Sequence, residues 1–487
     1  MTQRNSAKKE LVYKRIDSCK EVVTADPNRL HYHIMPPVGL LNDPNGFVFF
    51  KGKYHVFYQW NPFETKHGIK YWGHYISDDL VHWETAPIAL APDQWFDKDG
   101  CYSGSAVVKN DKLYVFYTGN VKDESNNRES YQCMAISENG ITFVKKGPVI
   151  HVPEGYTAHF RDPKVFCKNG LWYMVIGAQT SKGEGEVVLY SSSDLENWDF
   201  LGPLAGSNKN GLHDFGYMWE CPDLFELGNR DILIISPQGL KPEGYKYNNI
   251  YQAGYFSGKV EYTHVTYDHG TFTELDRGFD FYAPQTAIDH TGRRLLFGWM
   301  GNAEEGESSH PTTNHHWIHA LTLPRQLKWR HGRLFQYPAE ELKLLRKNEM
   351  TFNEVNLSEQ ETKLPGLNGN VFELNISIKE WKATSFSVVV GKNNKISYNQ
   401  PTNTFSFQRK SFNGDNLESR HCLLKELKSI RVFKDTSSIE IFVNEGEEVF
   451  SSRVFDEIST NDGRIYFFVN GMVTADIQKW DLNQVCK

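Results

Sequence analysis

The chain has 487 residues, 14% of them aromatic, and a formal net charge of −7 at pH 7. That length accommodates one large domain and a smaller one, and short apolar runs rich in aromatics suit half-buried strands better than a helical bundle. A negative balance with no block of Lys or Arg excludes nucleic acid, no window approaches the roughly 18 apolar residues of a membrane span, and the expected partner is a small molecule.

Residues 1–30 read as a polar, partly helical extension. Met1 to Asp26 carries Lys8, Lys9, Lys14, Arg15 and Lys20 with no apolar stretch behind them, so no export signal is expected and a cytoplasmic location is. The seven cysteines (Cys19, Cys101, Cys133, Cys167, Cys221, Cys422 and Cys486) are scattered and never form a C-x-x-C pair. They predict neither a disulfide framework nor a zinc site.

From residue 31 to 340 one pattern recurs, a Gly or polar turn followed by an apolar-aromatic strand. Val56, Val115, Val175, Ile234 and Leu296 mark its five occurrences, at steps of 59, 60, 59 and 62 residues. Long repeats built of several short strands point to propeller blades, which bury their faces only against neighbours. Asp79-Leu80-Val81-His82-Trp83 and Asp194-Leu195-Glu196-Asn197-Trp198 place the same turn, with a buried Trp, late in two of the repeats. The alternative is an irregular β-sandwich with coincidental spacing. The prediction is an all-β chain, with a five-bladed β-propeller over 31–340.

Around Pro338 to Asn348 the pattern becomes briefly helical, which marks a joint between domains. Beyond it Phe372, Leu374, Ile376 and Ile378, and later Ile439, Ile441 and Val443, alternate with other residues as half-buried antiparallel strands do. Residues 350–487 are expected to form a β-sandwich.

A polar cluster precedes each marker strand: Asn42-Asp43-Pro44-Asn45-Gly46, Tyr102-Ser103-Gly104-Ser105, Arg161-Asp162-Pro163, Glu220-Cys221-Pro222-Asp223 and Tyr282-Ala283-Pro284-Gln285. Asp43, Ser103, Asp162, Glu220 and Tyr282 stand 13, 12, 13, 14 and 14 residues before their markers. Equal positions in successive blades surround the propeller axis, so three carboxylates converge there. Singly, each motif has a bland reading: a tight turn for Asn42 to Gly46, a local ion pair for Arg161 and Asp162, a surface acid for Glu220, a small buried hydrophobe for Cys221. Their shared phase has no packing explanation, and buried charges need partners or a function.

Converging carboxylates can hold a hard cation or hydrolyse a glycosidic bond. No D-x-D-x-D-G loop, His pair at helical spacing or phosphate-cradling Gly-rich loop is present, so neither metal nor cofactor is expected. Abundant Trp and Tyr favour sugars.

His33-Ile34-Met35-Pro36-Pro37-Val38-Gly39-Leu40-Leu41-Asn42-Asp43-Pro44-Asn45-Gly46, together with Tyr102 to Ser105, Phe160 to Pro163, Trp219 to Asp223 and Phe279 to Gln285, resembles glycoside hydrolase family 32, the invertases and fructanases. The resemblance covers almost the whole chain. It implies a five-bladed propeller followed by a β-sandwich, with Asp43 as nucleophile, Glu220 as acid/base and Asp162 on the fructosyl hydroxyls. It also implies sugar contacts at Asn42, Gln59, Tyr102, Ser103, Tyr282 and Trp299; Leu40, Leu41 (where many relatives have Trp or Met), Arg161 and Cys221 are further candidates for substrate binding.

The implied reaction is retaining hydrolysis of the β-D-fructofuranosyl bond of sucrose 6-phosphate, or of sucrose, through a fructosyl-enzyme intermediate. The alternatives are an enzyme for unphosphorylated sucrose or fructo-oligosaccharides, and a lectin-like fructan-binding propeller. Crowding is expected to keep Glu220 protonated, and Arg161 to keep Asp162 ionised. Where many relatives carry Trp before Gly68 this chain has His67, in the run Lys66-His67-Gly68-Ile69-Lys70, so His67 is the candidate phosphate contact. Oligomeric state is not legible.

Overall fold

A computed structural model describes residues 3–302, 306–358, 361–455 and 463–485; Cys486 lies outside them. The architecture is a five-bladed β-propeller followed by a nearly closed β-sandwich. Each blade is an antiparallel meander that begins at the axis and steps outward. The innermost strands are Gly39–Phe50, Cys101–Lys109, Tyr156–Lys168, Met218–Leu227 and Tyr282–Ile288, in blades I to V.

The five marker residues all sit on the second strand of their blade, and all are fully buried. This explains the period: each repeat needs one strand apolar on both faces, because a blade's middle is covered by a neighbour on either side. The recurrent turn is also explained. Asp79 Oδ1 accepts the backbone N–H groups of Val81 and His82, and Asp194 Oδ1 those of Glu196 and Asn197. Leu80 and Leu195 take left-handed φ of 65° and 79°, which lets the Trp83 and Trp198 indoles donate back to their carbonyls. Both Trp side chains are half-buried rather than buried.

Each innermost strand breaks register with its neighbour at the polar cluster. Asp162, Cys221 and Ala283 take positive φ of 65°, 47° and 46° there. A bulge suspends strict alternation, so consecutive residues can serve the same region. Two residues beyond each bulge, a polar side chain ties the blades together round the axis. Asn45 accepts from Gly104 N at 3.2 Å, Ser105 donates to Pro163 O at 2.8 Å, and Lys164 lies 3.0 Å from Asp223. Asp223 accepts from Thr286 N at 2.7 Å, while Gln285 accepts from Phe47 N and donates to Gly104 O. The ring closes where Trp317–Ile318 pairs in parallel with Gly39 and Leu40.

The helix Gln3–Thr24 packs on blade I. Val12, Cys19 and Val23 are buried, and with Ile16 they recur at helical spacing to form a single apolar stripe. Lys9 reaches the carbonyl of Ile88 at 2.7 Å. Among the described residues no helix is long and apolar enough to cross a membrane.

The short 3-10 helix Glu340–Leu345 leads into the sandwich, whose long strands Phe372–Val390 and Ile465–Leu482 pair along most of their length with bulges at their bends. Phe372, Leu374, Ile376, Ile439, Ile441 and Val443 are all fully buried. A buried network joins it to the propeller: Arg325 donates to Asp276 at 3.0 Å and to Glu440 at 2.6 Å, and His33 lies between Asp435 and Glu440. The contact is close. A Cβ on Gly278 would lie 2.0 Å from Ser451 O, so only glycine fits.

Candidate active site

A cavity of about 520 Å³ opens at one end of the axis, lined by residues from all five blades. Asn42 with Asp43, and Arg161 with Asp162, line it as consecutive pairs, which the bulges permit. The bulges also account for the offsets of 13 and 14. Asp162 and Cys221 are equivalent, each at the turned residue, and Glu220 and Tyr282 stand one place earlier in their blades.

Asp43 is half-buried in the lining of this cavity. Ser103 Oγ donates to its Oδ2, Asn42 Nδ2 to its Oδ1 at 3.1 Å, and the Cys221 sulfur lies 3.8 Å from Oδ2. Gln59 donates to Ser103 and accepts from Asn42 at 3.2 Å, which fixes both partners. Burial raises the Asp43 carboxyl above its ordinary range, against the Ser103 hydroxyl. The Cys221 thiol is pushed well up by burial and by Asp162, Asp43 and Glu220, so it is a thiol and a weak donor.

The cation on this floor goes to Glu220. Arg161 NH2 and Nε lie 2.7 and 3.0 Å from Glu220 Oε1, while Tyr282 OH and Gln238 Nε2 donate to Oε2 at 2.6 and 2.8 Å. Asp162 is 4.0 Å from Arg161 and takes a hydrogen bond from Cys221 N at 3.0 Å. Burial pushes Glu220 up, but the Arg161 charge and the Tyr282 and Arg161 hydrogen bonds outweigh it and hold the group below its ordinary value. Asp162 is raised to about 7, by burial first and only partly countered by Arg161. Two expectations are therefore corrected. In the free site Arg161 makes its closer contacts with Glu220 rather than with its neighbour Asp162, which favours the ionised form of Glu220, while burial favours the protonated form of Asp162.

Gln59, Tyr102, Tyr282 and Trp299 line the cavity with Asn42 and Arg161. Ser103 and Cys221 lie just below, on a narrow channel along the axis. Leu40 and Leu41 are corrected: both are fully buried and neither lines the cavity, Leu41 belonging to the apolar core under blade I. Their backbone pairs with Asn61 and Trp60 on the neighbouring strand.

His67 lines the cavity, but its Nε2 lies 3.2 Å from Glu307 and its Nδ1 3.3 Å from Lys70 Nζ. Lys70 is buried and donates to Asn42 Oδ1 at 2.8 Å; burial lowers it to about 8. Lys66 is exposed and lies outside the lining. The run Lys66 to Lys70 thus braces Asn42 more than it offers free charge.

Gln238, Tyr251, Asp99, Lys122 and Arg128 also line the cavity, and sequence reading did not find them. Gln238 had a findable signal. It lies on the second strand of its blade four residues after the marker, where Gln59, Thr118 and Trp299 lie three residues after theirs. The other four sit on connections or hairpin ends, which share no phase with the repeat.

The sequence model "Glycosyl hydrolases family 32 N-terminal domain" matches residues 33–338, and "Glycosyl hydrolases family 32 C terminal" matches 341–483. The chain is 51% identical to a Sucrose-6-phosphate hydrolase of Bacillus subtilis (strain 168), over 93% of this chain and 95% of that one. Among solved structures it is similar to a sucrose-6-phosphate hydrolase from Lactobacillus gasseri, at a TM-score of 0.88 and 31% identity over 97% of both chains. It is also similar to a Bombyx mori GH32 beta-fructofuranosidase mutant in complex with sucrose, at 0.84 and 35% over 99% of both. With carboxylates from three blades on one cavity and both family domains matched end to end, the chain is a glycoside hydrolase that belongs to family 32.

Proposed function

We propose that the enzyme hydrolyses the β-D-fructofuranosyl bond of sucrose 6-phosphate, and more slowly of sucrose, with retention of configuration. The observation that carries this reading is the convergence of Asp43, Asp162 and Glu220 on one cavity from three different blades. The names of the most similar relatives support the substrate.

Asp43 is the nucleophile. Ser103 and Asn42 hold its ionised carboxylate in place to attack the anomeric carbon. Asp162 accepts hydrogen bonds from the fructosyl hydroxyls, which replace solvent and favour its ionised form. Glu220 gives its proton to the glucosyl oxygen and later takes one from water. Arg161 and Tyr282 favour the ionised form of Glu220 in the free site, so the acid that reacts is the form that has taken a proton from solvent. The glucosyl unit covers the opening and deepens the burial that already works to raise it.

The test is kcat/KM on sucrose 6-phosphate and on sucrose, with NMR of the first-formed fructose. The reading requires a ratio well above one and a β anomer. A ratio near one leaves an enzyme for unphosphorylated sucrose, and an α anomer removes the covalent route.

A further inference from the structure

We propose that Arg128 and Lys122, at the end of a blade II hairpin, bind the phosphate of the substrate's glucosyl unit. This rests on the reading above that such a phosphate is present. Both residues line the active-site cavity, both are half-buried, and they face each other as direct cross-strand partners where Lys112–Lys122 pairs with Arg128–Ser137. Like charges set directly opposite one another are destabilising in a sheet. A hairpin that needed only stability would not place two cations there.

Nothing in the free site neutralises the pair. Among the described residues neither side chain forms an ion pair or a hydrogen bond; Arg128 stacks its guanidinium 5.6 Å from the centre of the Tyr102 ring. The acids nearby bind groups other than these two side-chain cations. Asp123, which opens the turn, folds back onto Ser125 and Asn127. Asp99, on the same wall, accepts from the backbone N–H of Lys122 at 2.7 Å. By contrast, His67 and Lys70, the cations expected to meet phosphate, face Glu307 and Asn42.

The location also matches the leaving group. Arg128 lines the same cavity as Arg161. Arg161 in turn holds Glu220, the group assigned to the glucosyl oxygen. Tyr102 joins this wall to the nucleophile, since it precedes Ser103, the hydrogen-bond donor to Asp43. A guanidinium fork and an adjacent ammonium suit a dianionic phosphate, which takes bidentate contacts from Arg and a point charge from Lys.

The experiment compares the ratio of kcat/KM for sucrose 6-phosphate over sucrose in wild type, Arg128→Gln, Arg128→Lys and Lys122→Gln. Glucose 6-phosphate and glucose serve as inhibitors and as ligands in thermal melts. Expected is a high wild-type ratio that falls roughly ten- to a hundredfold in Arg128→Gln, mainly through KM, and less in Lys122→Gln. Arg128→Lys recovers part of the loss, and the stabilisation by glucose 6-phosphate over glucose shrinks in parallel. A high wild-type ratio that persists in both Gln variants overturns this assignment and leaves the substrate intact. A wild-type ratio near one overturns the substrate reading and this inference with it.

Discussion

Arg161 directs its guanidinium at Glu220, 59 residues away in the chain, with contacts of 2.7 and 3.0 Å to one oxygen, and leaves the adjacent Asp162 at 4.0 Å. That choice favours the ionised form of Glu220 over that of Asp162 in the free site.

Replacing Arg161 by Lys removes the fork and most of the field that keeps Glu220 low, so the Glu220 pKa rises. The alkaline limb of kcat/KM, which reports loss of the proton from the free enzyme's acid, then moves to higher pH. Activity at the optimum falls about a hundredfold or more, because the fork also positions the carboxylate. In wild type the alkaline limb of kcat lies above that of kcat/KM, since bound substrate raises the acid. Full pH profiles check both; coincident limbs would mean that substrate does not protonate Glu220.

Asp162 carries a stability cost. Its carboxyl is raised to about 7 from an ordinary 3.8 by burial, so the folded state binds this proton more tightly than the unfolded chain does. The stabilisation is complete below about pH 4 and is lost as pH climbs toward 7. Asp162→Asn, which cannot ionise and still accepts from Cys221 N, is therefore more stable than wild type at pH 8. The advantage is on the order of a few kcal/mol and shrinks toward pH 4. Melting curves across that range test the sign, and a gap that widened on acidification would contradict it. Activity falls steeply in the same variant.

The proposed nucleophile and the proposed acid separate by substrate. Asp43→Asn keeps the shape and loses the nucleophile, so turnover drops by several orders of magnitude on every substrate. Glu220→Gln drops turnover of sucrose comparably but spares an aryl fructoside whose leaving group departs without a proton. Steady-state rates on both substrates decide; equal losses in Glu220→Gln would place the acid on another residue.

His67 braces the site through Glu307 and Lys70. His67→Ala lowers kcat/KM about two- to tenfold on sucrose and on sucrose 6-phosphate alike, the loss of a single hydrogen-bonded contact. Their ratio stays within about a factor of two. A ratio that collapsed in this variant would return the phosphate to the imidazole.

What the sequence determined by itself is the repeat and the identity of the groups on the axis. Val56, Val115, Val175, Ile234 and Leu296 had to be apolar because each blade's second strand is covered on both sides, and that requirement is written at a fixed period. Asp43, Asp162 and Glu220 were legible for the same reason, since blades return equal positions to one axis. Asn45, Ser105, Lys164, Asp223 and Gln285 shared the phase but join the blades, which no motif distinguishes from chemistry. Tertiary structure alone decided where charges point. The bulges that turn Asp162 and Cys221 are local departures from alternation, and they bring Cys221 N to Asp162 and Arg161 to Glu220 across a blade boundary. Leu40 and Leu41 share a strand with Asp43 yet are fully buried outside the cavity lining, Leu41 in the apolar core. Lys122 and Arg128 reach the cavity from a hairpin end, whose position follows from how blade II twists and packs, a property that no spacing along the chain encodes.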